Sequence, residues 1–125
     1  MHSLPSKLRN FIERVSRDGF DVWLIGSRAN GNARADSDWD LLVFGDKALL
    51  DALRDEEPVE ETDVLVVHDG NAFESPWKTR KEGVLMSGSL SGWEWQRDSE
   101  TEATYSGTKW PHDWGSVKRA TRIAP

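Results

Sequence analysis

The sequence contains no cysteine. That excludes disulfides and any metal site built on thiolates. No apolar run approaches the ~20 residues that a membrane-spanning helix needs. The first ten residues, MHSLPSKLRN, lack the apolar core of a secretory signal. These absences lead us to expect a cytoplasmic protein. Basic residues are also scarce, with 16 Lys and Arg against 22 Asp and Glu, a net charge of −6. A polyanion is bound by displacing its counterions with Lys and Arg, so nucleic acid is not a favoured partner. Internal repeats and low-complexity linkers are absent too. What remains is an ordinary globular composition, 37% apolar and 30% charged over 125 residues. That is the size of a single domain, residues 1–125, with one modest core.

The periodicities divide the chain. Leu4, Leu8, Phe11, Ile12 and Val15 recur at three- and four-residue steps, the stripe of an amphipathic helix over about 5–17. Ser3 is the expected N-cap and Gly19 the expected stop. Asp21 to Ile25 reads as a buried strand, Trp39 to Phe44 as a second and Thr62 to Val67 as a third. Between the last two, Lys47 to Arg54 reads as a helix with Ala48, Leu49, Ala52 and Leu53 on one face. A brief helix over Arg28 to Asn32 would follow the first strand, and a free helix N-terminus beside a glycine is an anion site. After residue 71 the composition changes. Ala72 to Gly83 reads as irregular. Val84 to Leu90, Trp93 to Arg97 and Ala103 to Lys109 read as an antiparallel meander, with Ser91-Gly92 turning the first into the second. Trp110 to Pro125 reads as a loop and a mobile tail, about 111–125. Short connections and helices beside a small sheet indicate an α/β (α+β) layer architecture.

The stretch from Val22 to Phe44, VWLIGSRANGNARADSDWDLLVF, organises the rest. Its second strand opens with Asp38 and Asp40. Residues two apart in a strand point the same way, with Cα atoms roughly 7 Å apart. Both carboxylates therefore share a face, with Trp39 and Leu41 on the other. Two like charges at about 5 Å repel by roughly 3 kcal/mol at an effective dielectric of about 20. A hard divalent cation with oxygen ligands is the usual remedy. Taken without context, Asp36, Asp38 and Asp40 are also what a loop ahead of a strand contains, and Gly26-Ser27 is also what a turn contains.

Two segments of this stretch carry more. Gly26-Ser27-Arg28-Ala29-Asn30-Gly31 matches a Gly-Ser-x-Ala-x-Gly pattern, and Ser37-Asp38-Trp39-Asp40-Leu41 matches Ser-Asp-x-Asp-Leu a short distance downstream. Together, in this order and beside strands, they resemble the signature of the DNA polymerase β-like nucleotidyltransferase superfamily, in its minimal form. The resemblance covers roughly residues 20–67. It implies a small mixed sheet with helices packed on one side. It also implies transfer of a nucleoside monophosphate from an NTP, with ATP the expected one, to an acceptor hydroxyl. Asp38 and Asp40 would hold two Mg²⁺ about 4 Å apart. The superfamily's third carboxylate lies on the following strand, where Asp63 is the candidate for metal binding and general base. The pattern there has an apolar residue before the acid, and this chain has Thr62. Asp69 is the rival, placed in the turn beyond. Gly26 would let backbone approach phosphate, Ser27 and Ser37 belong to the nucleotide-binding segments, and Arg28 would pair with a terminal phosphate or with the acids. Some minimal members are antitoxins that pair with a helical toxin chain, so a helical toxin-like protein or a second copy of this chain is the expected partner. The reading in a different class is a catalytically inert domain of this fold that grips a partner protein.

The remaining residues carry weaker signals. Lys78, Arg80 and Lys81 form a basic loop that could reach a triphosphate but reads first as solvated. His2, His68 and His112 have no ligand spacing, and His68 reads as a turn residue beside the active face. Of seven tryptophans, five follow residue 76. Trp93 and Trp95 would share a strand face, as core or as a stacking platform for a base. Trp77, Trp110 and Trp114 could join them in an exposed aromatic patch. Lys118, Arg119 and Arg122 are too few for nucleic-acid binding.

Overall fold

Four apolar side chains at helical spacing draw the first helix onto a sheet. The computed structural model describes residues 4–26, 28–29, 39–77, 87–106 and 117–123. In it α1 spans Ser6–Arg17 and buries Leu8, Phe11, Ile12 and Val15. Pro5 occupies the N-cap with no side-chain cap, and Ser3 lies outside the described residues. Gly19 ends the helix at φ +94°. Its N–H donates to the Ser16 carbonyl at 3.0 Å, and that of Phe20 to the Val15 carbonyl at 3.2 Å, the paired bonds of a Schellman stop.

The next elements follow the periodicities: β1 (Asp21–Ile25), β2 (Trp39–Phe44), α2 (Lys47–Arg54) and β3 (Thr62–Val67). Asp46 caps α2, its Oδ1 accepting from the Leu49 N–H at 2.8 Å. The buried face of α2 differs from the expected one. Leu50 and Leu53 are buried, Leu49 is half-buried, and Ala48 and Ala52 are exposed. The helix turns its larger side chains inward because burial gain scales with apolar area.

Beyond β3 come β4 (Ala72–Glu74), β5 (Ser87–Ser89), β6 (Gln96–Arg97), β7 (Glu102–Tyr105) and β8 (Lys118–Ile123). Among the described residues these strands form one sheet in the order β5-β4-β3-β2-β1-β8-β7-β6. Only β2 and β3 pair in parallel, with α2 between them in sequence; every other described pairing is antiparallel.

Three expectations are corrected here. Residues Ala72 to Glu74 are a strand, since they pair with both β3 and β5. The meander does not run from β5 into β6, because these strands lie at opposite edges of the sheet. The segment between them is a turn over residues 90–94, and only Gln96–Arg97 of the expected strand is extended. The supposed tail supplies β8, which sits between β1 and β7 and pairs with both. Residues 111–116 and 124–125 lie outside the described residues, as do 84–86 and 107–109 of the expected meander strands.

The crossing from β5 to β6 dictates the sheet's shape. A flat sheet of this order would separate its edges by about 34 Å at ~4.8 Å per strand. The seven steps from Ser89 to Gln96 can reach only about 25 Å when fully extended. The sheet therefore curls, and the crossing segment fills its concave side. Trp93 lies 4.7 Å from the Phe73 ring on β4 and 5.1 Å from the Tyr105 ring on β7. Asn71 anchors the crossing: its carbonyl accepts from Leu90 N–H at 2.8 Å and its Oδ1 from Ser91 N–H at 2.9 Å.

Two apolar clusters result. One joins α1 and α2 to Val22, Leu41, Val43, Val64 and Val66. The other lies on the concave side and joins Trp23, Ile25, Leu42 and Leu65 to Phe73, Trp93 and Tyr105. Trp77 belongs to the first: it is buried, its Nε1 donates to the Leu53 carbonyl at 3.0 Å, and it packs on Phe11. Trp77 and Trp93 thus serve as core, and Trp95 is half-buried against Trp23 and Phe44. Trp110 and Trp114 lie outside the described residues, so the expected exposed patch has no described member. No helix among the described residues is long and apolar enough to cross a membrane.

Candidate functional site

Alternation along β2 separates its side chains cleanly. Trp39 and Leu41 pack into the helix-side cluster, while Leu42 joins the concave one. Asp40, two residues before Leu42, therefore faces the concave side. On β3, Leu65 joins the same concave cluster, which puts Asp63 on that side as well. The parallel register pairs Asp40 directly with Asp63. Neighbouring strands run about 4.8 Å apart, so two half-exposed carboxylates leave one face side by side. The Trp39 N–H donates to the Glu61 carbonyl at 2.7 Å and secures this register at the acid end.

Thr62 occupies the position that the family pattern makes apolar. It is buried, and its hydroxyl donates to the Glu60 carbonyl at 3.0 Å. A satisfied hydroxyl is what allows a polar residue there.

Gly26 closes the site from the third strand. It follows β1, whose last residue Ile25 pairs with Asp40. Its φ is +74°, a left-handed value. A Cβ at this position would overlap the Asp40 carboxylate and lie 3.1 Å from its Cγ. Glycine is required here twice over, by backbone conformation and by the space Asp40 occupies. The Gly26 N–H donates to the Tyr105 hydroxyl at 3.0 Å. Ala29 N–H returns to the Gly26 carbonyl at 3.1 Å, closing a turn. The Arg28 guanidinium stands 4.2 Å from the centroid of the Trp39 ring, a cation–π contact.

Ser27, Ser37 and Asp38 lie outside the described residues, as do Asn30 to Asn32 of the expected brief helix, the basic residues Lys78, Arg80 and Lys81, and His2 and His112. Asp69 is occupied by its own turn, its Oδ1 accepting from Asn71 N–H at 2.9 Å and Ala72 N–H at 2.6 Å. Those backbone donors hold its carboxyl below the ordinary carboxylate value. His68 is not beside the acids. It follows the far end of β3 from Asp63, five residues on, about 16 Å away, with its Nε2 3.7 Å from Glu74. Arg122 in β8 pairs with Asp21 at 2.8 Å.

Among the described residues no group of three or more His, Asp or Glu side chains is placed to hold a metal ion. The described carboxylates of the candidate site are those of Asp40 and Asp63; Asp38 precedes Asp40 by two residues in sequence. Tyr105 is the residue that sequence reasoning did not single out. Its only signal was alternation within Ala103 to Tyr105, and nothing local connects it to Gly26, 79 positions away.

A family profile described as "Nucleotidyltransferase domain" matches residues 6–88. Comparisons with curated proteins and with solved structures return no significant match.

Proposed function

The chain belongs to the nucleotidyltransferase domain family, and we propose that it transfers a nucleoside monophosphate from an NTP, taken as ATP, to an acceptor hydroxyl with release of pyrophosphate. The observation that carries this reading is the matched placement of Asp40 and Asp63 on one face, against a glycine turn that only glycine can occupy. The donor set suits Mg²⁺, because paired carboxylates on adjacent strands supply hard oxygens and negative charge that a divalent cation offsets. Asp40 and Asp63, with Asp38, would hold two such ions. Bound there, they supply charge neutralisation on the triphosphate and make the acceptor hydroxyl more acidic.

The chain's own groups do the rest. The Gly26-Ser27 turn receives the phosphate tail, with the Ser27 hydroxyl as a donor. Asp63 takes the proton of the acceptor hydroxyl as its oxygen bonds to the α-phosphorus. The bond from that phosphorus to the bridging oxygen breaks, and pyrophosphate carries the electron pair away.

The test is Mg²⁺-dependent ATP binding by the wild type, followed by pyrophosphate release with candidate acceptor proteins and small-molecule hydroxyls. Asp40→Asn and Asp63→Asn should each bind Mg·ATP poorly and release no pyrophosphate. Unchanged partner binding in the double variant, with no product from any acceptor, would instead identify a binding module that uses the same fold.

A further inference from the structure

We propose that Tyr105, on a hairpin outside the matched family segment, is a positioning residue for the turn that receives the polyphosphate tail of the nucleotide; this rests on the nucleotidyl-transfer reading above. The matched segment ends at residue 88, and Tyr105 lies on β7. β8 separates β7 from β1, so the Tyr105 ring must pass over β8 to reach Gly26. Tyr105 pairs with Lys118 of β8, and Ala120, two residues further along β8, is buried in the same concave cluster as the tyrosine.

The tyrosine is itself held. Its ring is 4% exposed and stacks on Trp93 at 5.1 Å and on Trp95 at 6.1 Å, each at 23°. A rigid ring therefore presents its hydroxyl to the Gly26 N–H at 3.0 Å. Gly26 needs such a partner. Glycine has the widest backbone freedom of any residue, and this one sits at the point where the chain leaves β1 for the Gly-Ser turn. The Asp40 carboxylate limits it on the side a Cβ would occupy. The Tyr105 hydroxyl anchors the Ile25–Gly26 peptide, the point from which the turn closed by the Ala29 N–H on the Gly26 carbonyl departs. Turn geometry set before the ligand arrives does not have to be ordered on binding, which is the source of preorganised affinity. The Trp-rich crossing segment thereby contributes to the site from a distance, by clamping the tyrosine that sets the phosphate turn.

Tyr105→Phe keeps the ring and its stacking and removes the hydroxyl alone. In the nucleotide-free protein, the Gly26 amide should exchange its hydrogen about five- to tenfold faster, the weight of one hydrogen bond. The Kd for Mg·ATP, and for Mg·tripolyphosphate as a probe with no base or sugar, should rise by about the same factor. Ser106→Ala is the control on the same hairpin. It removes the 2.7 Å bond from the Ser106 hydroxyl to Glu94 without touching the turn, and should leave both affinities unchanged. Unaltered Mg·ATP and tripolyphosphate affinity in Tyr105→Phe, or unaltered Gly26 exchange, overturns the positioning role alone. Equal weakening by Ser106→Ala overturns it too, because general loosening of the hairpin then explains the effect. A wild type that binds neither Mg·ATP nor tripolyphosphate overturns both this inference and the functional reading.

Discussion

Asp40 and Asp63 stand directly opposite one another on the sheet's parallel strand pair, with their carboxylates on the concave face. Strand pairing puts like charges side by side, an arrangement that costs stability unless a cation or separation relieves it. A divalent cation held between them, as proposed above, would offset that repulsion.

That relation separates function from stability at these positions. Asp63→Asn should lower nucleotidyl transfer at least about 100-fold, the scale on which even outer partners of a metal act. Its folding free energy, from urea unfolding without Mg²⁺, should stay level or rise by up to ~1 kcal/mol, since the repulsion removed is screened at a half-exposed site. Asp38→Asn should behave in the same way. Marked destabilisation by either change would identify a structural carboxylate.

Gly26→Ala should cost stability as well as function. The left-handed backbone costs about 1–2 kcal/mol for a residue with a Cβ, and overlap with the Asp40 carboxylate adds to it. A urea midpoint lowered by the equivalent of at least about 2 kcal/mol is expected, together with lost Mg·ATP binding because the added methyl displaces Asp40.

Asp69 contributes to the acid limb of the stability curve through its turn. Its folded-state pKa is lowered, chiefly by the Ala72 N–H and then by that of Asn71. A group of this kind contributes stability that is fully present above the unfolded carboxylate pKa and is lost as pH falls through the folded one. Asp69→Ala should therefore be less stable than wild type at neutral pH, with the difference shrinking as pH drops below the ordinary carboxylate range. Urea unfolding of both proteins at neutral and strongly acidic pH measures the difference, and a gap of constant size would remove Asp69 from the account.

Removal of residues 118–125 should abolish cooperative folding. β8 lies inside the sheet, paired through Val22, Trp23 and Leu24 on one side and through residues 102–105 on the other. Without it β1 loses a neighbour, and the β6–β7 hairpin that carries Tyr105 loses its attachment to the sheet. Retention of a sharp thermal transition by the truncated chain would show that β8 is dispensable.

Local pattern located α1, α2 and the first three strands, though not the buried face of α2. Four apolar residues at helical steps specify α1, a run of β-branched and apolar residues specifies β3, and alternation in Trp39 to Phe44 assigns Asp40 its face before any partner strand is known. These are short-range properties of the backbone, so a sequence states them outright. The Gly26 to Gly31 and Ser37 to Leu41 segments are likewise short local patterns. What the chain alone withheld was which strands meet. Lys118 to Ile123, KRATRI, has the polarity of a surface tail, yet Ala120 and Ile123 are buried on opposite faces because the strand is enclosed by neighbours. The separation of β5 from β6, the curl that it forces and the reach of Tyr105 to Gly26 arise from contacts between segments far apart in sequence. Such contacts are chosen by the joint burial of surfaces that do not exist until the chain has folded.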